Sequence, residues 1–323
     1  MPSIFAHSLC GEKALLTCDA DRLRRIINRQ KWAFIFGCQG PDFLFFYHAF
    51  PTYDQKEAGQ VHRLGTQVHE QKVNEAVSCL LQWIRKDPHD ILVAYVAGWL
   101  SHHALDAEAH PYVYWRTGTP ERHAGQDHQR MEAQIERGLL DYLDIDMKDY
   151  LPVKQMKHST PKLYKIAEMI QGMLKDVYEF DLSLKKCYEA LQQFYSLQKL
   201  LADPRGRRYK LVAAGERLLG APGRGTALMV PVKYDDALDA LNYRHDDWHH
   251  PVSGERMSSG FMEMYDAAVL QSRERLALLE DFLLDGADET AILRHVGGRS
   301  YNSGVADEPL VYFAATWDKE KTI

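Results

Sequence analysis

Nowhere does the chain hold an apolar run long enough to span a bilayer, and its start, MPSIFAHSLCGEKALL, lacks the basic opening and apolar stretch of a signal peptide. These absences give the expectation of a cytoplasmic protein. Cysteine is scarce: Cys10, Cys18, Cys38, Cys79 and Cys187 are an odd number without C-x-x-C spacing. That pattern speaks for reduced thiols and against a disulfide frame or a cysteine zinc site. Positive charge is not in excess, since 39 Lys and Arg stand against 45 Asp and Glu for a formal charge of -6. A polyanion held by electrostatics is therefore not the expected partner, and nucleic acid and an anionic membrane are set aside as default partners, with a local patch left open. Alternating β-branched runs are rare, which argues against a β-rich fold. Internal repeats and low-complexity tracts are missing too, which excludes a solenoid.

What the chain has in quantity is apolar residues recurring every three or four positions, the mark of an all-α protein. Helices are expected near 10–30, 41–50, 58–86, 89–116, 124–143, 160–179, 182–202, 206–219, 258–284 and 288–296. The break LDIDMKDYLPVKQMKHSTP divides a histidine-rich region, 1–150, from a helical region, 151–323, expected to pack against it. GAPGRGTALMVPVKY reads as a loop from its Gly and Pro content.

Polar residues then interrupt this apolar pattern in a regular way. Directly behind ILVAYVAGWL comes SHHALDAEAHPYVYW, in which His102, Asp106 and His110 stand four apart and share one helix face. Traced backwards, that face passes Gly98, Tyr95 and Ile91, so it is the core-facing side. Burying an imidazole or carboxylate there without a partner costs a few kcal/mol or more, roughly, so something must compensate them. DHQRMEAQIERGLL repeats the arrangement, with His128 and Glu132 heading a stripe through Ile135 and Leu139. In VHRLGTQVHEQKV, His69 leads a stripe through Val73, Ala76, Leu80 and Trp83; His62, two turns earlier and about 10 Å away along a helix, cannot share its ion. Asp42 opens the apolar stretch of GCQGPDFLFFYH, and His7 lies near the start.

Imidazole and carboxylate are ligands that zinc accepts. Their spread over several inward-facing helices suggests two or three metal ions inside a helical bundle. A single His-x-x-x-Asp or His-x-x-x-Glu pair is ordinarily a surface contact; the combination carries the inference. His103 is expected to point away from the cluster. His48, His89, His123 and His158 read as surface or satisfied core residues, and His245, His249 and His250 as solvated loop residues.

The order of GPDF, LGTQVH, GWLSHHALDAEAHPYV and HQRMEAQIE over roughly residues 1–140 resembles the zinc-dependent phospholipase C family, which includes secreted bacterial phospholipases and the catalytic part of clostridial alpha-toxin and is distantly similar to single-strand nucleases. The resemblance implies a phospholipase C-like bundle with a metal cluster in its core. Asp42, His69, His102 and Asp106 would bind one zinc, and His110, His128 and Glu132 a second. Asp106 would bridge to a third ion, which His7 would also hold. In secreted members an amino-terminal tryptophan completes that third site; here no tryptophan precedes Trp32, although removal of Met1 would free Pro2. Asp106 and His110 are closer in sequence than in the secreted enzymes, consistent with an unbroken helix. His69 is preferred to His62 because it follows Gly65 and leads the apolar stripe, as the family pattern does.

The implied activity is metal-assisted hydrolysis of a phosphoester, with Asp42 orienting or deprotonating the attacking water and a phospholipid cleaved between glycerol and phosphate. Two alternatives stand beside it: a hydrolase of soluble phosphodiesters or nucleotides, and a non-catalytic module whose zinc ions fix the bundle. The chain offers neither a recognisable basic amphipathic helix nor a lipidation motif, and FLFFYHAF at helical spacing reads as core.

Overall fold

The sequence folds into a succession of helices, described by a computed structural model over residues 4–49, 53–118, 126–220, 223 and 225–314. In chain order these are α1 (Ile4–Thr17), α2 (Asp21–Arg29), α3 (Lys31–Gly37), α4 (Gln55–Glu70), α5 (Val73–Lys86), α6 (Asp90–Thr117), α7 (Gln126–Tyr142), α8 (Pro152–Gln155), α9 (Thr160–Tyr178), α10 (Leu184–Leu201), α11 (Arg207–Leu218), α12 (Phe261–Leu284) and α13 (Thr290–Val296). A single two-residue antiparallel pairing, β1 (Trp248–His249) with β2 (Arg256–Met257), completes the regular structure among the described residues. The protein is all-α, and no described helix is long and apolar enough to cross a membrane.

The axis of the fold is α6, whose residues from Ile91 to Ala107 are all buried. A helix apolar on every side must be wrapped by others, and α3, α12 and α1 pack around it. Its crossing with α3 is close enough to require glycine. A Cβ on Gly98 would lie 2.2 Å from the Phe34 carbonyl oxygen, and one on Gly37 would lie 2.0 Å from that of Tyr95. Pro111 lies inside α6 and cannot donate to the carbonyl of Ala107 four residues back. That oxygen instead accepts from Arg299 Nη2 at 3.2 Å. Because α12 packs along both α6 and α1, the described parts of 151–323 share a core with those of 1–150.

Several expected helices are divided. The stretch 10–30 separates into α1 and α2 at residues 18–20, and the short α3 and α8 were not foreseen. Over 41–50 the chain forms a 3-10 helix, Gly40–Phe46, because Gly40 enters at φ +49° and the turn is tight. The stretch 58–86 breaks between α4 and α5, where Lys72 is left-handed at φ 53°. A 3-10 turn, Thr226–Leu228, lies inside the expected loop 220–234. Pro2, His123 and positions 50 and 124–125 of the expected helices lie outside the described residues.

Candidate metal centre

Five segments deliver the ligand-type side chains to one place. The 3-10 helix supplies Asp42, α4 supplies His69 from its last turn, α6 supplies His102, Asp106 and His110, α7 supplies His128 and Glu132, and α1 supplies His7. All eight are buried; His128, the most exposed of them, is 9% accessible. Asp42, His69, His102 and Asp106 form one group and His110, His128 and Glu132 another, with the ligand atoms of each group within 4.8 Å of one another. His62 does not join them: its Nε2 lies 2.9 Å from the Tyr47 carbonyl.

The imidazoles are held in a common sense. His69 Nδ1 donates to the Gly65 carbonyl at 2.7 Å, His102 Nδ1 to that of Cys38 at 3.2 Å, and His110 Nδ1 to that of Tyr301 at 2.9 Å. A carbonyl can only accept, so each Nδ1 carries the proton and each Nε2 is turned toward the carboxylates. His128 obeys the same logic through a hydroxyl. Thr117 Oγ1 gives its proton to the Val113 carbonyl at 2.8 Å, and so accepts from His128 Nδ1 at 3.4 Å. Such outer hydrogen bonds fix ring orientation and tautomer at metal sites. His7 differs: its Nε2 faces Asp106 Oδ1 at 3.2 Å, but its buried Nδ1 has no hydrogen-bond partner among the described residues.

Inward, some of the ligand atoms are hydrogen-bonded to one another and others are not. His69 Nε2 lies 3.1 Å from Asp42 Oδ1, and His110 Nε2 lies 3.1 Å from Glu132 Oε1. His102 Nε2 comes within 2.9 Å of Asp106 Oδ2, and His128 Nε2 within 3.3 Å of Glu132 Oε1. In these last two pairs closeness is not bonding: His102 Nε2, Asp106 Oδ2, His128 Nε2 and Glu132 Oε2 lack a partner of hydrogen-bond angle. Unsatisfied buried nitrogens and oxygens are costly, and their lone pairs converge as a divalent cation requires, so the residues present fit a metal ion. Asp106 joins the groups, with Oδ2 toward His102 and Oδ1 3.2 Å from His7 and 3.6 Å from His110.

Electrostatics point the same way. Burial opposes ionisation of Asp106, yet the imidazoles of His102, His110 and His7 hold its carboxyl well below the usual carboxylate range. Glu132 is likewise lowered, against burial, by His128 and His110. Burial would lower His110, but Asp106 and Glu132 outweigh it and push its pKa up to about 9. The carboxylates thus draw positive charge into the site. Ligation at His110 Nε2 and a proton on that atom exclude each other, so metal uptake releases it.

Other contributors carried no sequence signal as ligands. Glu136, one turn beyond Glu132, accepts from the backbone of Phe5 at 2.6 Å and Ala6 at 3.3 Å, fixing the start of the helix that bears His7. A His-Glu-Glu series four residues apart could have flagged it. Tyr301, from the far end of the chain, binds the His69 carbonyl through its amide at 2.8 Å while its own carbonyl orients His110. The break after α4 frees the His69 carbonyl for this contact. His103 points away from the ligands, accepting at Nδ1 from Arg275 and meeting the Arg299 carbonyl through Nε2 at 2.7 Å. Gly40 fits against the His102 ring, where a Cβ would come within 2.1 Å of Cδ2. A cleft of about 900 Å³ is lined by Gln126, Asp127 and Arg130 of α7 and by Lys210 and Arg217 of α11.

No family model, curated protein or solved structure matches this chain. The two buried groups could hold metal ions; the geometry itself carries the functional argument.

Proposed function

We propose that the protein is a zinc-dependent phosphoester hydrolase of phospholipase C type, acting in the cytoplasm on a phospholipid or a small phosphoester. The observation supporting this reading is the convergence of seven buried nitrogen- and oxygen-bearing side chains into two groups joined through Asp106. Free cysteines, four of them buried, suit a reducing compartment. Two or three bound zinc ions would supply positive charge to a phosphoryl group and lower the pKa of water.

In this reading the chain's own residues set position and protonation. His69, His102, His110 and His128 present Nε2, locked by their Nδ1 contacts. Asp106 would link the two groups, with His7 Nε2 3.2 Å from its Oδ1. Asp42, whose Oδ1 lies 3.1 Å from His69 Nε2 and 3.9 Å from His102 Nε2, orients the attacking water and takes its proton.

The test is elemental analysis of protein purified without an affinity-tag metal, followed by assay against phosphatidylcholine, soluble phosphodiesters and nucleotides. Two or three zinc equivalents and a chelator-sensitive activity are expected. Asp42→Asn should lower turnover by roughly a hundredfold or more while most of the metal stays bound. A second reading, a non-catalytic helical module stabilised by zinc, draws support from the burial of all eight side chains. Full metal content with no hydrolysis of any substrate class would favour that module and overturn the enzyme.

A further inference from the structure

Helix α11 is built inside out. Leu211 is 74% exposed and Leu218 90%, and Leu219, just past its end, is 83% exposed. Leu211 and Leu218 are seven residues apart and so lie on one face. Glu216, nearly opposite Leu218, is the buried residue of the helix, and its carboxylate receives the amides of Gly223, Gly225 and Thr226 and the Thr226 hydroxyl. That inward anchor fixes the rotation of α11, and Arg208 fixes its start by donating to the carbonyls of Lys199, Leu200 and Ala202. The outward leucines are therefore held in place by both ends of the helix.

The exposed charged side chains of α11 itself all have one sign. Arg207, Lys210 and Arg217 are exposed, and no ion pair engages their side chains among the described residues. Of the acids nearby, Glu216 is committed as above, Asp203 to the amides of Arg207 and Tyr209, and Asp235 to Arg130, while Asp127 lies across the cleft from Lys210 and Arg217. A cationic, leucine-bearing face on a chain of formal charge -6 is a local reversal of the protein's overall electrostatics. A second copy docking here would set cation against cation. An anionic bilayer answers both features, taking the leucines into its acyl boundary and the cations at its phosphates.

We propose that α11 docks the protein onto the surface of an anionic phospholipid membrane. This docking stands on the α11 face alone and does not require that the metal centre hydrolyse lipid.

The test is flotation of the full metal-loaded chain with vesicles of phosphatidylcholine alone or with about a third phosphatidylserine. Partition should favour the anionic vesicles and fall as salt is raised to about 0.5 M, where screening shortens to a few ångströms. Leu211→Ser with Leu218→Ser should lower partition roughly tenfold or more, from lost apolar burial. Arg207→Glu, Lys210→Glu and Arg217→Glu together should abolish the preference for anionic lipid. Circular dichroism and metal content should match the parent in both variants, since every altered side chain is exposed. Absence of vesicle binding, equal partition to both compositions, or variants that partition like the parent would overturn the proposal. So would light scattering that finds a dimer dissolved by the leucine substitutions, which would assign the face to a second copy. Lipid hydrolysis is read separately, so a catalytically silent protein that still floats leaves the docking intact.

Discussion

Helices α6 and α11 break the same rule in opposite directions. The first hides His102, Asp106 and His110 in the centre of the protein, whereas the second displays Leu211 and Leu218 to water. Along α6 the neighbours turn the imidazoles of His102 and His110 inward and leave His102 Nε2 and Asp106 Oδ2 without a hydrogen-bond partner among the described residues, where a cation could meet the cost of burial. Along α11 the neighbours merely set the rotation, and the apolar face stays exposed among the described residues. Burial with unsatisfied polarity and exposure with unsatisfied apolarity both mark surfaces that make sense with something outside the chain. The inner one bears on stability, the outer one on association.

Stripping the ions should give the largest effect and would sharpen this contrast most. An ion present at about a thousand times its Kd adds roughly 4 kcal/mol to the folded state, so chelation should lower the thermal midpoint markedly, with zinc restoring it. An unchanged midpoint would break the comparison at α6. Next, Gly98→Ala should cost about 3 kcal/mol in urea unfolding, because the new carbon meets backbone atoms of α3 that cannot turn aside. Arg275→Met should cost about 2 kcal/mol, since Arg275 donates to the Leu100 carbonyl, to His103 and to Gln271. Leu218→Ser closes the series: its effect on unfolding should stay within about 0.5 kcal/mol, as its side chain is already in water. A larger loss would mean that α11 is packed after all.

The helical class was legible because the apolar spacing of 3.6 dominates the chain, and the side chains that converge were legible because His102, Asp106, His110, His128, Glu132 and His69 each continue an apolar stripe. Helix ends were less so. Periodicity runs straight through 58–86, and α4 ends where Gln71 turns extended and Lys72 left-handed, a backbone event that neither residue announces. The support around the centre was hidden for another reason. Gly65, Cys38 and Tyr301 act through carbonyl oxygens, which every residue has. The face of α11 was also concealed: leucines at helical spacing look core-facing until Glu216 is seen to take the inner position.

Tyr301 reaches across 191 residues to orient His110, and Ser300 across 231 to the carbonyl of His69. Closing such long loops is slow compared with forming local helical turns. During synthesis, the amino-terminal helices can therefore emerge and fold while the His110 imidazole still lacks its fixed bearing. Completion of the group that holds His110 is thereby tied to a late stage of chain elongation, so a truncated nascent chain would present that ring loosely aimed.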